Sequence, residues 1–173
     1  MQGGQAHVRP ATPGDLGAIA EIFAYYVTNS FVTFEESPPT VPQWRQRLDS
    51  LAERRLPFLV AETDGKVAGY AYAGPWRPKP AYRHTVEDSV YLAPGFRGRG
   101  LGRLLLDALL AACAEGGARQ IVAVIADTGD LSSVALHRAC GFTDAGRLKE
   151  VGQKHGRRLD TVLLQREVRP GLP

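Results

Sequence analysis

Apolar residues recur with two periods along this chain of 173 residues, and each change of period marks a change of element. Val8 begins a short strand. Leu16, Ile19, Ala20, Phe23 and Val27 then repeat at the helical spacing, with Thr12 or Asp15 placed to cap, which predicts a helix to about Val27. Pro38, Pro39 and Pro42 break the pattern before a second helix from about Val41 to Arg54. Pro57–Glu62 predicts a buried strand, Asp64-Gly65 a hairpin turn, and Lys66–Ala73 the return strand. A proline-rich loop, Trp76–Tyr82, leads into a strand over Thr85–Leu92. Leu101, Leu104, Leu105, Ala108 and Ala112 share one face of a helix that runs to Ala114. Gln120–Ala126 has the unbroken apolar character of a strand covered on both faces. A short helix, about Leu131 to Cys140, stops at Gly141. Two last strands, about Thr143–Gly152 and Arg158–Val168, turn near His155-Gly156. This order predicts an α/β chain built on one mixed sheet. It is expected to be one domain over 1–173 with an ordered core of about 7–168, since no repeat or interior linker divides it.

Composition narrows the function by exclusion. Hydrophobic residues at 44% and charged residues at 23% are ordinary for a soluble globular protein. A net charge of +3, with basic residues spread along the chain, argues against a nucleic-acid partner. No stretch has the length of a membrane span or the form of a secretory leader, so no membrane partner is expected and the cytoplasm is the expected location. Cys113 and Cys140 fall in helix-like segments without metal spacing and read as buried small residues in a reducing compartment. No His, Cys and carboxylate cluster suggests a metal.

The chemistry concentrates in Arg97-Gly98-Arg99-Gly100-Leu101-Gly102-Arg103, between the strand ending at Leu92 and the helix opening at Leu101. A glycine-rich turn at a helix N-terminus offers free N–H groups to an anion. Three arginines there oppose the positive end of the helix dipole unless something negative is bound, and the first acid of the helix is Asp107. A ligand carrying phosphate explains both features. Arg103 stands where a dinucleotide fingerprint needs its third glycine, and no Walker-type motif occurs. Taken alone, the turn is equally open to a bland reading as a basic surface connection.

The surrounding blocks decide. Arg97-x-x-Gly100-x-Gly102 after the fourth strand, followed by Ser133-Val-Ala-Leu-His137-Arg-Ala-Cys-Gly141-Phe142, resembles the GNAT family of acetyl-CoA-dependent N-acetyltransferases from Val8 to about Gln165. Thr33-Phe34-Glu35, Ala73-Gly-Pro-Trp-Arg77, Ala81-Tyr-Arg-His-Thr-Val-Glu87 and Lys154-His-Gly156 resemble its phosphinothricin and methionine sulfoximine N-acetyltransferases. The chain departs from that subgroup at Asp130, where Asn is common, at Lys79, where Arg is frequent, and at Arg158, where Trp is usual.

The resemblance implies the GNAT fold, a mostly antiparallel mixed sheet with flanking helices. It implies acetyl-CoA as co-substrate, held by Val90, Tyr91 and Leu92 and by the turn from Arg97 through Gly98, Arg99, Gly100, Leu101 and Gly102 to Arg103, with Asp130 and Ser133 nearby. Acetyl transfer in a ternary complex needs a deprotonated amine, an oxyanion donor and a proton for the departing thiolate. Glu87 is the candidate base, the Leu92 N–H the candidate oxyanion donor and His137 a candidate acid. Glu87 is otherwise a solvated strand acid, and His137 otherwise a core histidine with satisfied hydrogen bonds.

Phe34, Glu35, Trp76, Arg77, Lys79, Tyr82 and Glu87 are the candidate acceptor residues, with cations beside aromatic walls to suit a small amino acid bearing a second polar tetrahedral group. Phe34 is alternatively core. Relatives suggest a homodimer, for which Thr161–Leu164 is either interface or core. Two alternatives stand beside the main expectation: a GNAT enzyme for another amine, and a non-catalytic CoA-sensing module, which would need neither Glu87 nor His137.

Overall fold

The structure, a computed structural model, describes residues 5–171. Strands β1 (His7–Pro10), β2 (Phe58–Thr63), β3 (Lys66–Pro75), β4 (Thr85–Leu92), β5 (Gln120–Ala126), β6 (Thr143–Lys154) and β7 (Arg157–Glu167) form one sheet. Their order is β1-β2-β3-β4-β5-β7-β6. Only the β4–β5 pairing is parallel, so the sheet is mixed and mostly antiparallel. Helices α1 (Leu16–Asn29) and α2 (Val41–Glu53) cover one face. Helices α3 (Leu101–Glu115) and α4 (Ser132–Ala139) cover the other.

Period-two alternation along β4 distributes its residues between these layers. Val86, Val90 and Leu92 join the core under α3, while Tyr91 packs with Phe23, Tyr26 and Tyr70 under α1. Leu101 and Leu105 of α3 are buried as the apolar spacing predicts, but Leu104 is 40% exposed, because the face that packs on the sheet runs through Leu105, Leu106, Leu109 and Leu110 and turns Leu104 to its edge. At Gly69 of β3 an added Cβ would stand 2.8 Å from the Tyr91 carbonyl and 2.6 Å from Leu92, so only glycine lets β3, β4 and α3 meet this closely.

Two boundaries differ from the sequence expectation for physical reasons. β3 continues to Pro75, because β2 ends its pairing at Phe58↔Tyr72 and leaves a free edge where a missing N–H costs nothing. β6 reaches Lys154 by means of two irregularities, between Asp144 and Gly146 and between Leu148 and Gly152, the second with Glu150 at φ 49°. The turns read from sequence are tight ones, with positive φ at Asp64, Gly65, His155 and Gly156. Thr161–Leu164 lies in β7, hydrogen-bonded between β5 and β6, so that segment is sheet interior with Thr161 and Leu164 buried. Cys113 and Cys140 are buried and free.

Candidate active site

Strands β4 and β5 pair only at Thr85↔Gln120, Val86↔Ile121 and Glu87↔Val122. Beyond that point they part, although β4 runs on to Leu92 and β5 to Ala126. The opening is a cleft of about 540 Å³ lined by Asp88, Val90, Tyr91 and Leu92 on one side and Ala123–Ala126 on the other. Gly98 and Gly102 close one end, and Tyr26, Phe31, Ser133 and His137 line its walls. The Ala93 N–H bonds the Ala68 carbonyl on the β3 side at 2.9 Å. By alternation the Leu92 N–H turns the other way, into the cleft. The Leu92 carbonyl, which turns with it, accepts the Tyr26 hydroxyl.

The turn at the cleft mouth takes the shape its glycines allow. Gly98 (φ 76°) and Gly100 (φ 78°) are left-handed, and an added Cβ at either would meet open space. The side chains were therefore excluded by backbone conformation and not by crowding. Gly102 is different: a Cβ there would press on Leu136 at 3.2 Å, so α3 seats closely against α4. Arg97 points across the mouth, its Nη2 3.2 Å from Asp130 Oδ2 and 3.4 Å from Ser132 Oγ. Asp130 also accepts the Ser132 N–H at the start of α4, and this bond, with further help from Ser132 and Arg97, holds its carboxyl below the usual range. Arg99 is exposed and lies over the Phe96 ring at 5.2 Å. Arg103 turns toward Asp107 at 3.5 Å and lines a different hollow, and Leu101 is core.

Of the two candidate proton carriers, Glu87 and His137, each faces a different layer. His137 is buried on the α3–α4 side, where Nδ1 lies 2.7 Å from the Ser133 carbonyl and Nε2 2.7 Å from Asp88 Oδ2. A carbonyl can only accept, so Nδ1 carries a hydrogen, and one proton is shared between Nε2 and Asp88. Burial alone would favour the neutral ring, but the Asp88 bond and charge outweigh it and lift the pKa above the ordinary imidazole value. Asp88 Oδ1 is buried without a hydrogen-bond partner.

Glu87 faces the α1–α2 side, in a second cavity of about 810 Å³ shared with Glu35, Arg47, Tyr72 and Gly74. Burial raises its pKa, the Asp88 charge adds to the rise, and the Arg77 charge opposes it. Gly74 pairs directly with Glu87, and an added Cβ at Gly74 would meet nothing within 4 Å. That empty place beside the carboxylate is room for a small molecule.

The remaining candidates sit at the rim. Trp76 is half-buried with Arg77 stacked on it at 4.7 Å, while Lys79 and Tyr82 are exposed. Phe34 is 36% exposed and presses on Gly152, where a Cβ would come within 2.3 Å of its ring. Its loop is pinned by the buried Lys154, whose Nζ donates to the Thr33 carbonyl at 2.9 Å. Asp88, Tyr26, Arg47 and Lys154 are site residues that the sequence reading missed. Strand parity held one usable signal, since adjacent Glu87 and Asp88 must face opposite layers. Among the described residues no group of three or more His, Cys, Asp or Glu side chains is placed to hold a metal ion. No helix among them is long and apolar enough to cross a membrane.

Known proteins resemble this chain in sequence and in fold. The family model for the acetyltransferase (GNAT) family matches residues 19–142. A phosphinothricin N-acetyltransferase of Alcaligenes faecalis is 49% identical over 164 residues, covering 95% of this chain and 83% of that protein. An L-methionine sulfoximine/L-methionine sulfone acetyltransferase of Pseudomonas aeruginosa is 39% identical, covering 95% of this chain and 96% of the other. A phosphinothricin acetyltransferase from Sinorhizobium meliloti, solved in complex with AcCoA, superposes with a TM-score of 0.91 at 44% identity, covering 95% of this chain and 89% of that one.

Proposed function

The chain belongs to the GNAT acetyltransferase family, and from that premise we propose that Glu87 and the β4–β5 cleft transfer acetyl from acetyl-CoA to the α-amine of a small amino-acid analogue. The protein is an N-acetyltransferase of the phosphinothricin and methionine sulfoximine type. The observation that carries the assignment of roles is the parting of β4 from β5 immediately past Glu87, which puts an open strand edge beside a half-buried carboxylate.

The residues present fit acetyl-CoA. The open β4 edge at Val90 and Leu92 supplies backbone groups for an amide-bearing arm, and the Gly98–Gly102 turn supplies N–H groups and arginines for phosphates. When bound, acetyl-CoA supplies the acyl group activated as a thioester. Glu87 takes a proton from the acceptor's ammonium, directly or through water, and its raised pKa suits that task near neutral pH. The Leu92 N–H, already turned into the cleft, donates to the oxyanion. Tyr26 bonds the Leu92 carbonyl and so holds the adjoining Leu92–Ala93 peptide, which anchors the end of β4 next to that N–H. His137 and Asp88 keep a proton at Nε2 in the opposite wall.

Direct transfer is supported by the cysteines, since the thiols of Cys113 and Cys140 are buried and neither lines the cleft or the acceptor cavity. Burial pushes the Cys113 thiol up to about 12. Initial-velocity kinetics test this: intersecting patterns with no acetylated protein by mass are expected, and a parallel pattern with an acetylated side chain would overturn it. We further read the protein as cytoplasmic and homodimeric, with the open β6 edge and its exposed Leu148 and Val151 as the surface for the second copy.

Three variants probe the cleft and the cavity. Asp130 competes with phosphate for Arg97, so Asp130→Asn, whose amide oxygen can still accept the Ser132 N–H, should tighten acetyl-CoA up to about fivefold. Arg99→Glu should weaken it about tenfold without changing the amine's KM, both read by calorimetry. Gly74→Leu fills the empty place beside Glu87. The amine's kcat/KM is expected to fall on the order of a hundredfold with the melting temperature and acetyl-CoA affinity retained.

A further inference from the structure

We propose that Arg47 is a specificity-determining residue of the acceptor site, holding the side-chain oxoanion of the amino-acid substrate and so favouring anionic acceptors over neutral ones. The inference rests on the acetyl-acceptor reading above and goes beyond it by naming which cation meets which substrate group.

Arg47 lies on the inner side of α2, half-buried, where its guanidinium covers the Trp44 ring at 4.8 Å and the Tyr72 ring at 5.5 Å. Nη1 donates to the Tyr72 hydroxyl at 3.0 Å. Two residues earlier, Arg45 pairs with Asp49 in solvent. Among the described residues no carboxylate forms an ion pair with Arg47, whereas Arg97 and Arg138 have one partner each and Arg9 and Arg147 have two. A guanidinium carries five donors, and Tyr72 takes one of them. The two rings and the Tyr72 hydroxyl fix the group at the wall of the cavity that Glu87 also lines, which makes it a placed cation with donors to spare.

The distances suit a small amino acid. Gly74 pairs with Glu87 and Tyr72 with Ser89, so Tyr72 is the diagonal neighbour of Glu87 on the same face of the sheet. Such neighbours stand about 7–8 Å apart, and the Tyr72 hydroxyl brings the line to Arg47. Gly74, between them, leaves the floor clear. In an α-amino acid the carboxylate sits on the carbon that bears the amine. In phosphinothricin and in methionine sulfoximine the tetrahedral group hangs at the end of a two-carbon arm. With the amine at Glu87, the carboxylate falls to Arg77, whose charge already acts on Glu87. The arm then spans toward Arg47. Glu35 also lines the cavity, so an anionic group gains only where it reaches Arg47 itself, which makes the selection positional.

The test compares acceptors of the same shape and different charge. Phosphinothricin carries an anionic phosphinate and methionine sulfone a neutral tetrahedral sulfur. In Arg47→Met the ratio of kcat/KM for phosphinothricin over methionine sulfone is expected to fall about 10–100-fold, and Arg47→Lys, which keeps the charge without the planar fork, should fall between. Acetyl-CoA affinity reports the integrity of each variant. An unchanged ratio, whether both acceptors lose activity together or neither does, would assign Arg47 to packing α2 on the sheet and overturn the proposal. Wild-type protein that acetylates neither compound but does acetylate another amine would overturn the acceptor reading, and the proposal with it.

Discussion

Glu87→Gln is expected to lower kcat by about 10²–10⁴-fold with acetyl-CoA affinity retained. The side chain keeps its size and loses only the ability to take a proton, so a loss confined to kcat isolates that step. The wild-type pH profile carries the same information. Burial and the neighbouring Asp88 raise the Glu87 pKa, with Arg77 acting against them. The carboxylate form therefore disappears at a higher pH than for an ordinary glutamate, and the acid limb of kcat/KM should lie above 4.5, the unperturbed value. Stability should move the other way. A carboxyl whose native pKa exceeds its unfolded one binds its proton more tightly when folded, so it loses stability as pH rises through the native value. Glu87→Gln has no such loss, and its melting temperature near neutral pH should equal or exceed the wild type.

His137→Ala should have the largest effect on stability. It leaves Asp88 buried beside a cavity, with neither oxygen bonded by a described residue, since His137 bonds Oδ2 and none bonds Oδ1. Removing one member of a buried pair costs about 3–5 kcal/mol. The double variant Asp88→Ala/His137→Ala removes the stranded charge as well and should recover part of that loss, which a double-mutant cycle in urea would measure. The pH dependence has a definite sign. The native pKa of His137 lies above the unfolded 6.5. The pair's contribution is thus complete below about pH 6.5 and is lost as pH rises through the raised native value. His137→Ala should flatten that part of the stability profile. A full loss of stability with kcat per folded molecule preserved would place His137 in the wall of the cleft, whereas a loss of kcat with a changed basic limb would assign it the proton for the thiolate.

The sequence showed the linear features clearly and the pairings across the fold hardly at all. The helical spacing of Leu101, Leu105 and Ala108, the tight turns at Asp64-Gly65 and His155-Gly156, and the strand over Gln120–Ala126 all arise from local backbone preference, and each lies where its pattern indicates. The glycine–arginine turn was legible for the same reason, because left-handed glycines before a helix are a local signal. The partners of the site are another matter. His137 meets Asp88 across 49 positions of sequence, and Lys154 meets Thr33 across 121. Neither contact follows from spacing. Arg47 looked like any charged residue of an amphipathic helix until Tyr72 and Gly74 were placed under it. Asp130 stands out in the sequence as a departure from the related subgroup, but its grip on Arg97 across the cleft mouth depends on how the β5–α4 connection folds back.

The most direct test of the whole account is release of CoA thiol from acetyl-CoA across a panel of amines, with the N-acetyl product identified by mass. The panel holds phosphinothricin, methionine sulfoximine, methionine sulfone, ordinary amino acids, a polyamine and a peptide N-terminus. Turnover concentrated on the first three, and abolished in Glu87→Gln, is the predicted result. Saturable binding of acetyl-CoA with turnover of none of these amines, or a preference for the polyamine or the peptide, would contradict it.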